Sequence, residues 1–212
     1  MPGRQLAGPC GPGPAVLIDV GGVLLANDAE AFTTWSARLG IAPASLLTAI
    51  FGGCDDQVLV GVVSEPDWWD VVGARLGVGP DLLAELRRAL ARAGHWDDDL
   101  LACLRLIRGR VRTAIISNAW PHMRARLSEA GIAGLVDEVV LSCEVGWAKP
   151  DPRIYAEALR RVAVEPGAAL FIDDTAGHVA AARSFGLVAH QHVTSAGTVA
   201  AIDAFLSGSP AR

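Results

Sequence analysis

Five side chains of this 212-residue chain could act together on one substrate: Asp19, Ser117, Lys149 and the adjacent pair Asp173-Asp174. Three of these positions close a short apolar run. Ala15-Val-Leu-Ile precedes Asp19, Val111 to Ile116 precedes Ser117, and Ala168 to Ile172 precedes Asp173-Asp174. Such runs read as strands buried on both faces, and residues just past their ends share one edge of a parallel sheet. Three carboxylates in one crevice must bind a cation or have their pKa values raised. Oxygen ligands favour Mg²⁺ over zinc. A hydroxyl and an ammonium beside such an ion suit a phosphoryl group, whose charge they offset.

Lys149 is the single lysine among 18 basic side chains; every other one is arginine. A composition bias toward arginine accounts for the rest of the surface. A site that needs a compact ammonium, which a planar guanidinium cannot replace, accounts for the exception.

The elements that must position these groups follow from periodicity. Glu138 to Leu141 is a further strand and Leu187 to His190 a weaker one. Between the strands, Pro121 to Ala130 reads as a helix stopped by Gly131, and Asp151 to Val162 as one with Pro152 in its first turn. In the latter, Ile154, Ala158, Leu159 and Val162 share one face. Thr175 to Phe185 and Ser195 to Leu206 complete the alternation. Strand and helix in turn predict an α/β chain: a Rossmann-like parallel sheet with helices on both faces. Asn27 to Arg108 differs. Ala29 to Leu39, Pro43 to Phe51, Ser64 to Leu76, Pro80 to Ala93 and Asp97 to Ile107 all read helical, with Ser64 an N-cap. The organisation is then a lead-in at 1–14, a core of 15–26 and 109–206, a helical insertion at 27–108, and a tail at 207–212.

Composition excludes several classes. With 51% hydrophobic and 19% charged residues the chain is not a disordered one. A net charge of −5 argues against a basic face for nucleic acid. The longest uncharged run, Ser184 to Ile202, is too polar to span a bilayer, and the first 14 residues lack the apolar core of a signal peptide. Cys10, Cys54, Cys103 and Cys143 lie far apart without CxxC spacing, which reads as free thiols of a cytoplasmic protein. Oligomeric state is not legible.

Four segments in register resemble the haloacid dehalogenase-like hydrolases over about residues 15–206. Asp19-Val-Gly-Gly-Val-Leu24 is similar to the first motif of that superfamily, Ile115-Ile-Ser117-Asn118 to the second, Glu144 to Tyr155 around Lys149 to the third, and Phe171-Ile-Asp173-Asp174 to the fourth. Gly61-Val-Val-Ser64-Glu-Pro-Asp-Trp68-Trp69 resembles a cap segment of the branch that includes sugar-phosphate phosphatases and the N-terminal domain of epoxide hydrolase. The resemblance implies a helical cap over a core, and a phosphatase of a small phosphorylated metabolite in which Asp19 forms an aspartyl-phosphate. It implies Mg²⁺ held by Asp19, the carbonyl of Gly21 and the pair Asp173-Asp174, chiefly Asp174. Ser117, Asn118, Trp120 and Lys149 would bind the substrate, and Trp147 shares Trp120's place close behind a motif.

Two positions depart from the pattern. Gly21 stands where most of these phosphatases carry a second aspartate as general acid and base, a role typically worth ~10²–10⁴-fold. A backbone at φ > 0 is one reason for a glycine there. His178 stands where the fourth motif favours asparagine; it is a hydrogen-bonded histidine or a substitute proton donor. Trp68 and Trp69 read as packing, and Cys54-Asp55-Asp56 as a loop that either shapes specificity or is plain surface. The alternatives are a metal-free haloacid dehalogenase, which uses the same aspartate on carbon, and a binding protein that kept the fold without turnover.

Overall fold

In the computed structural model, which describes residues 13–26, 28–52 and 55–208, the elements run as follows. β1 (Ala15–Ile18) leads to β2 (Leu25–Ala26), then to α1 (Ala29–Leu39), α2 (Pro43–Phe51), α3 (Asp55–Leu59), α4 (Glu65–Leu76) and α5 (Pro80–Arg92). β3 (His95–Trp96), α6 (Asp98–Ile107), β4 (Arg112–Ser117), α7 (His122–Glu129), β5 (Glu138–Leu141) and α8 (Ser142–Val145) come next. The chain closes with α9 (Pro152–Val162), β6 (Ala169–Asp173), α10 (Ala176–Ser184), β7 (Val188–Gln191) and α11 (Ser195–Leu206). Most of the lead-in, Cys10, Cys54 and residues 209–212 of the tail lie outside the described residues. Among those described, no helix is long and apolar enough to cross a membrane.

The five longer strands form one parallel sheet in the order β5-β4-β1-β6-β7. Side chains alternate across a strand, so β1 feeds two cores at once. Val16 and Ile18 pack with Ile115, Ile172, Leu104, Leu127 and Ile202, which brings α6, α7 and α11 onto one face. Ala15 and Leu17 pack with Ile116, Phe171, Ile154, Tyr155 and Ala182, which brings α9 and α10 onto the other. Burial on both faces is why these strands read as unbroken apolar runs. The parallel register Ile18↔Ile172 and Ile18↔Ile115 aligns three strand ends, so that Asp19 and Asp173 emerge level with each other and Ser117 one residue further along its strand.

α1 to α5 carry a separate core. Trp35, Leu46, Ile50, Val58, Trp68, Trp69, Val72 and Leu86 are buried together, joined by Trp120 from the loop after β4. α4 begins where Ser64 Oγ accepts from the Asp67 N–H at 3.3 Å, and ends at Gly77 with φ 64. The indole N–H of Trp68 donates to the Ile50 carbonyl at 3.1 Å, tying α4 to α2. Two features differ from the expectation for 27–108. β2 and β3 pair antiparallel, Leu25↔Trp96 and Ala26↔His95, and clamp the two ends of the insertion together; two residues are too few to show a strand period. α6, assigned to the insertion by its helical pattern, buries Leu100, Leu101, Cys103, Leu104 and Ile107 against the sheet. The expected limit at Arg108 therefore takes in a helix of the sheet's own layer, because amphipathic spacing shows that a face is buried but not against what.

Trp68 is 2% exposed and fills the middle of the insertion's core. Trp68→Ala should lower stability by about 3–5 kcal/mol, as large-to-small changes in well-packed cores do. Urea denaturation followed by circular dichroism checks this; a loss under ~1 kcal/mol would mean that the tryptophan is not a packing residue.

Candidate active site

Asp19 follows β1 directly. Its backbone N–H donates to the Ile172 carbonyl at 2.9 Å, which extends the sheet by one residue and sets the side chain beside Asp173. One carboxylate oxygen accepts from the Val20 N–H at 2.7 Å. The Lys149 ammonium lies 2.9 Å from Asp19 Oδ1 and 2.6 Å from Asp173 Oδ2, and the lysine side chain is fully buried. Burial pushes the Asp19 carboxyl above its ordinary value, and Asp173 adds to that. Lys149 and the Ser117 hydroxyl, both hydrogen-bonded to it, pull the other way. Against its own burial, Asp173 is held at about 2 by hydrogen bonds from His178 and Lys149 and from the Thr175 N–H.

Asp173 is the most heavily bonded of the three carboxylates. Oδ2 takes Lys149, Oδ1 takes the Thr175 N–H at 2.8 Å, and His178 Nδ1 sits 3.1 Å from Oδ1. Asp174 is freer: Oδ1 accepts from Thr175 Oγ1 at 3.1 Å, and Oδ2 faces Gly22. Oxygens of Asp19, Asp173 and Asp174 all lie within 4.8 Å of one another. Three carboxylates against one ammonium leave an excess of negative charge, and the donors are all oxygen, so the residues fit a hard divalent cation. Each of the three offers an oxygen to that cluster, and Asp173 also holds Lys149.

The glycines of the loop divide differently from the expectation. Gly22, not Gly21, has φ +73, and a Cβ on Gly22 would sit 2.1 Å from Asp174 Oδ2. Gly22 thus makes room for the Asp174 carboxylate against the backbone. Gly21 has open space around a built Cβ and no positive φ, so nothing steric forbids a side chain there. The fold does not require the missing aspartate to be missing.

Asn118, expected on substrate, is occupied elsewhere. Its Nδ2 donates to the Lys149 carbonyl at 2.8 Å, and its Oδ1 accepts from the Lys149 N–H at 2.6 Å. The amide thus bonds the lysine's backbone at both ends, and Asn118 also lines the neighbouring cavity. Trp120 is 8% exposed and stands T-shaped to Trp69, with centroids 5.8 Å apart. It joins the sheet's loops to the insertion and lines the cavity between them. Trp147 does not reach that cavity; it packs on the α9 side of the sheet beneath the Arg153 guanidinium, 5.3 Å from its centroid. His178 is the hydrogen-bonded histidine of the two readings, aimed at Asp173.

The cavity encloses about 390 Å³ and runs from Gly21 and Asn118 into the insertion. On its wall sits Glu65, a 4% exposed carboxylate in the first turn of α4 that sequence reading passed over. Glu65 accepts from the His122 N–H at 3.0 Å and the Trp69 indole at 3.3 Å, and faces His122 Nδ1 at 3.1 Å and Arg87 at 3.5 Å. It bonds the insertion to the loop after β4. The one available signal was a carboxylate in an aromatic-rich segment, where a buried charge must have partners. A larger hollow of about 1120 Å³ lies between α6 and α11, near the amino end of β1 and away from the carboxylates. Burial pushes the Cys143 thiol up to about 11, and Cys103 and Cys143 are both free.

Residues 14–186 match the family model of the haloacid dehalogenase-like hydrolases, and the chain belongs to that family. It is 24% identical over 184 residues to mouse acyl-CoA dehydrogenase family member 10, covering 82% of this chain but only 17% of that protein. A haloacid dehalogenase-family enzyme of Bacteroides thetaiotaomicron, solved with magnesium and inorganic phosphate, superposes with a TM-score of 0.69 at 19% identity, covering 85% of this chain and 94% of that one. L-2-haloacid dehalogenase of Xanthobacter autotrophicus, solved with chloropropionic acid covalently bound, superposes at 0.64 with 20% identity, covering 94% and 85%. At these identities the structures establish a shared fold.

Gly22→Ala should cost about 1–3 kcal/mol, from a strained backbone and a displaced Asp174, whereas Gly21→Ala should stay within about 0.5 kcal/mol of the parent. Urea midpoints of the two variants decide it. Equal losses would remove the distinction between the two glycines.

Proposed function

We propose that the chain is a Mg²⁺-dependent phosphatase of a small phosphorylated metabolite, with Asp19 as the nucleophile. The observation that carries this reading is the convergence of Asp19, Ser117, Lys149 and Asp174 at the carboxyl ends of three adjacent strands. Asp19 attacks phosphorus and forms an aspartyl-phosphate; the ester oxygen leaves, and water then cleaves the acyl-phosphate, splitting one hard step into two. Lys149 and Ser117, already bonded to Asp19, turn to the transferred group and offset its charge. Asp173 and Asn118 hold Lys149 from its two ends, side chain and backbone. Asp19, the Gly21 carbonyl and the pair Asp173-Asp174, chiefly Asp174, would hold Mg²⁺, which when bound supplies the positive charge that lets a phosphate enter beside carboxylates.

α1 to α5 are read as a cap that selects the substrate and excludes water. The free thiols support a cytoplasmic setting. Dehalogenation at carbon would use the same Asp19, yet it gives Asp174 and its glycine-made seat no role.

Phosphate release from a panel of monoesters should vanish with a chelator and return with Mg²⁺. Asp19→Asn should abolish turnover, by about 10⁴-fold or more, in a protein that still folds. Lys149→Arg should lose about 10²–10³-fold, since the planar group does not fit between two carboxylates. Full activity in chelator would remove the metal, and chloride release from 2-haloacids without phosphate release would favour the dehalogenase.

A further inference from the structure

The cavity beyond Gly21 is lined mainly by apolar side chains. Its walls carry four aromatic rings: Phe32, Phe51, Trp69 and Trp120. Phe51 stands 5.8 Å from Trp120 and 6.2 Å from Phe32, ring centre to ring centre, and Trp120 meets Trp69 edge to face at 83°. Phe51 is 48% exposed, so this wall keeps unburied apolar surface that a flat apolar group would cover.

Each polar side chain of the same wall already has a partner. Asp28 caps α1 by accepting from the Ala31 N–H at 2.9 Å, and Asn118 holds Lys149. Arg126 donates to the Ala93 carbonyl at 2.5 Å, and Glu65 is taken up by Trp69, His122 and Arg87. A polyhydroxylated leaving group would lose its water and find those partners engaged, at the cost of unmade hydrogen bonds. An aromatic group makes no such demand.

Gly21 bears on the leaving oxygen independently. No side chain stands there; the two carboxylates that line the cavity, Asp28 and Glu65, are bonded elsewhere, and His122 faces Glu65 through Nδ1. An aliphatic alkoxide needs a proton as it leaves, its hydroxyl being about as weak an acid as water. A phenol ionises near ~10, as tyrosine does, and leaves as the anion.

We infer that the substrate class is an aryl phosphate monoester, its ring seated among Phe32, Phe51, Trp69 and Trp120; this rests on the phosphatase reading. Asp19 forms the bond to phosphorus as the bond to the phenolic oxygen breaks. The electron pair stays on that oxygen, which takes its proton from solvent. Water then releases phosphate and restores the Asp19 carboxylate.

The test is a set of kcat/KM values with Mg²⁺ on phenyl phosphate, 2-naphthyl phosphate, decahydronaphthyl phosphate and glucose 1-phosphate. The naphthyl ester should exceed the phenyl ester by about tenfold or more, through ring area alone. It should exceed the decahydronaphthyl ester, of similar size but with an aliphatic leaving oxygen, by about 10²-fold or more. Glucose 1-phosphate, with an activated but polyhydroxylated leaving group, should trail both aryl esters. Phe51→Ala, at a half-exposed position, should bring the naphthyl and phenyl values together, with circular dichroism confirming the fold. Parity of glucose 1-phosphate or of the decahydronaphthyl ester with the aryl esters overturns the aryl assignment alone, as does an unchanged naphthyl-to-phenyl ratio in Phe51→Ala. Absence of phosphate release from every ester takes away the phosphatase reading, and the aryl assignment with it.

Discussion

One buried ammonium sets the terms for this structure. Lys149 lies between Asp19 and Asp173 with no exposure to water, and neither partner could be there without it. A lone ammonium in that position would cost several kcal/mol of desolvation, and two facing carboxylates would repel each other. Together they form a polar centre whose geometry is fixed by three strand ends and by the Asn118 amide on the lysine's backbone. The same constraint explains why an otherwise arginine-only chain keeps a lysine here: a guanidinium has no room and the wrong shape.

The second constraint is the loop that follows β1. Gly22 yields its side-chain volume to Asp174, which brings a third carboxylate to the centre. Gly21 yields nothing by necessity. The insertion lines most of the cavity beyond that loop. It is bonded to the sheet's loops by the buried Glu65 and by Trp120, whose ring belongs to the insertion's core although its backbone belongs to the sheet.

Much of this was legible in the residues, for identifiable reasons. The strands of the sheet are buried on both faces, and that writes a continuous apolar run. Ser64 and Gly131 mark helix ends through hydrogen bonds and conformations that few other residues supply. Asp19, Ser117 and Asp173 could be placed together because a parallel sheet aligns its carboxyl ends. What was not legible depends on partners far off in sequence. The Asn118 amide and Lys149 meet across 31 residues, and Glu65 and His122 across 57. α6 looked like part of the insertion because its pattern shows a buried face without saying what covers it. The choice between Gly21 and Gly22 as the strained position turned on where Asp174 would lie.

The claim that unites these observations is that Asp19, held by Lys149, becomes covalently linked to the group it takes. Acid quench of the enzyme within its first turnover on a monoester, followed by mass spectrometry of its peptides, tests this directly. The account predicts one phosphoryl group on the peptide that contains Asp19, formed and lost at rates consistent with turnover. Phosphate release with no modified peptide, or with the phosphoryl group on any other residue, would contradict it.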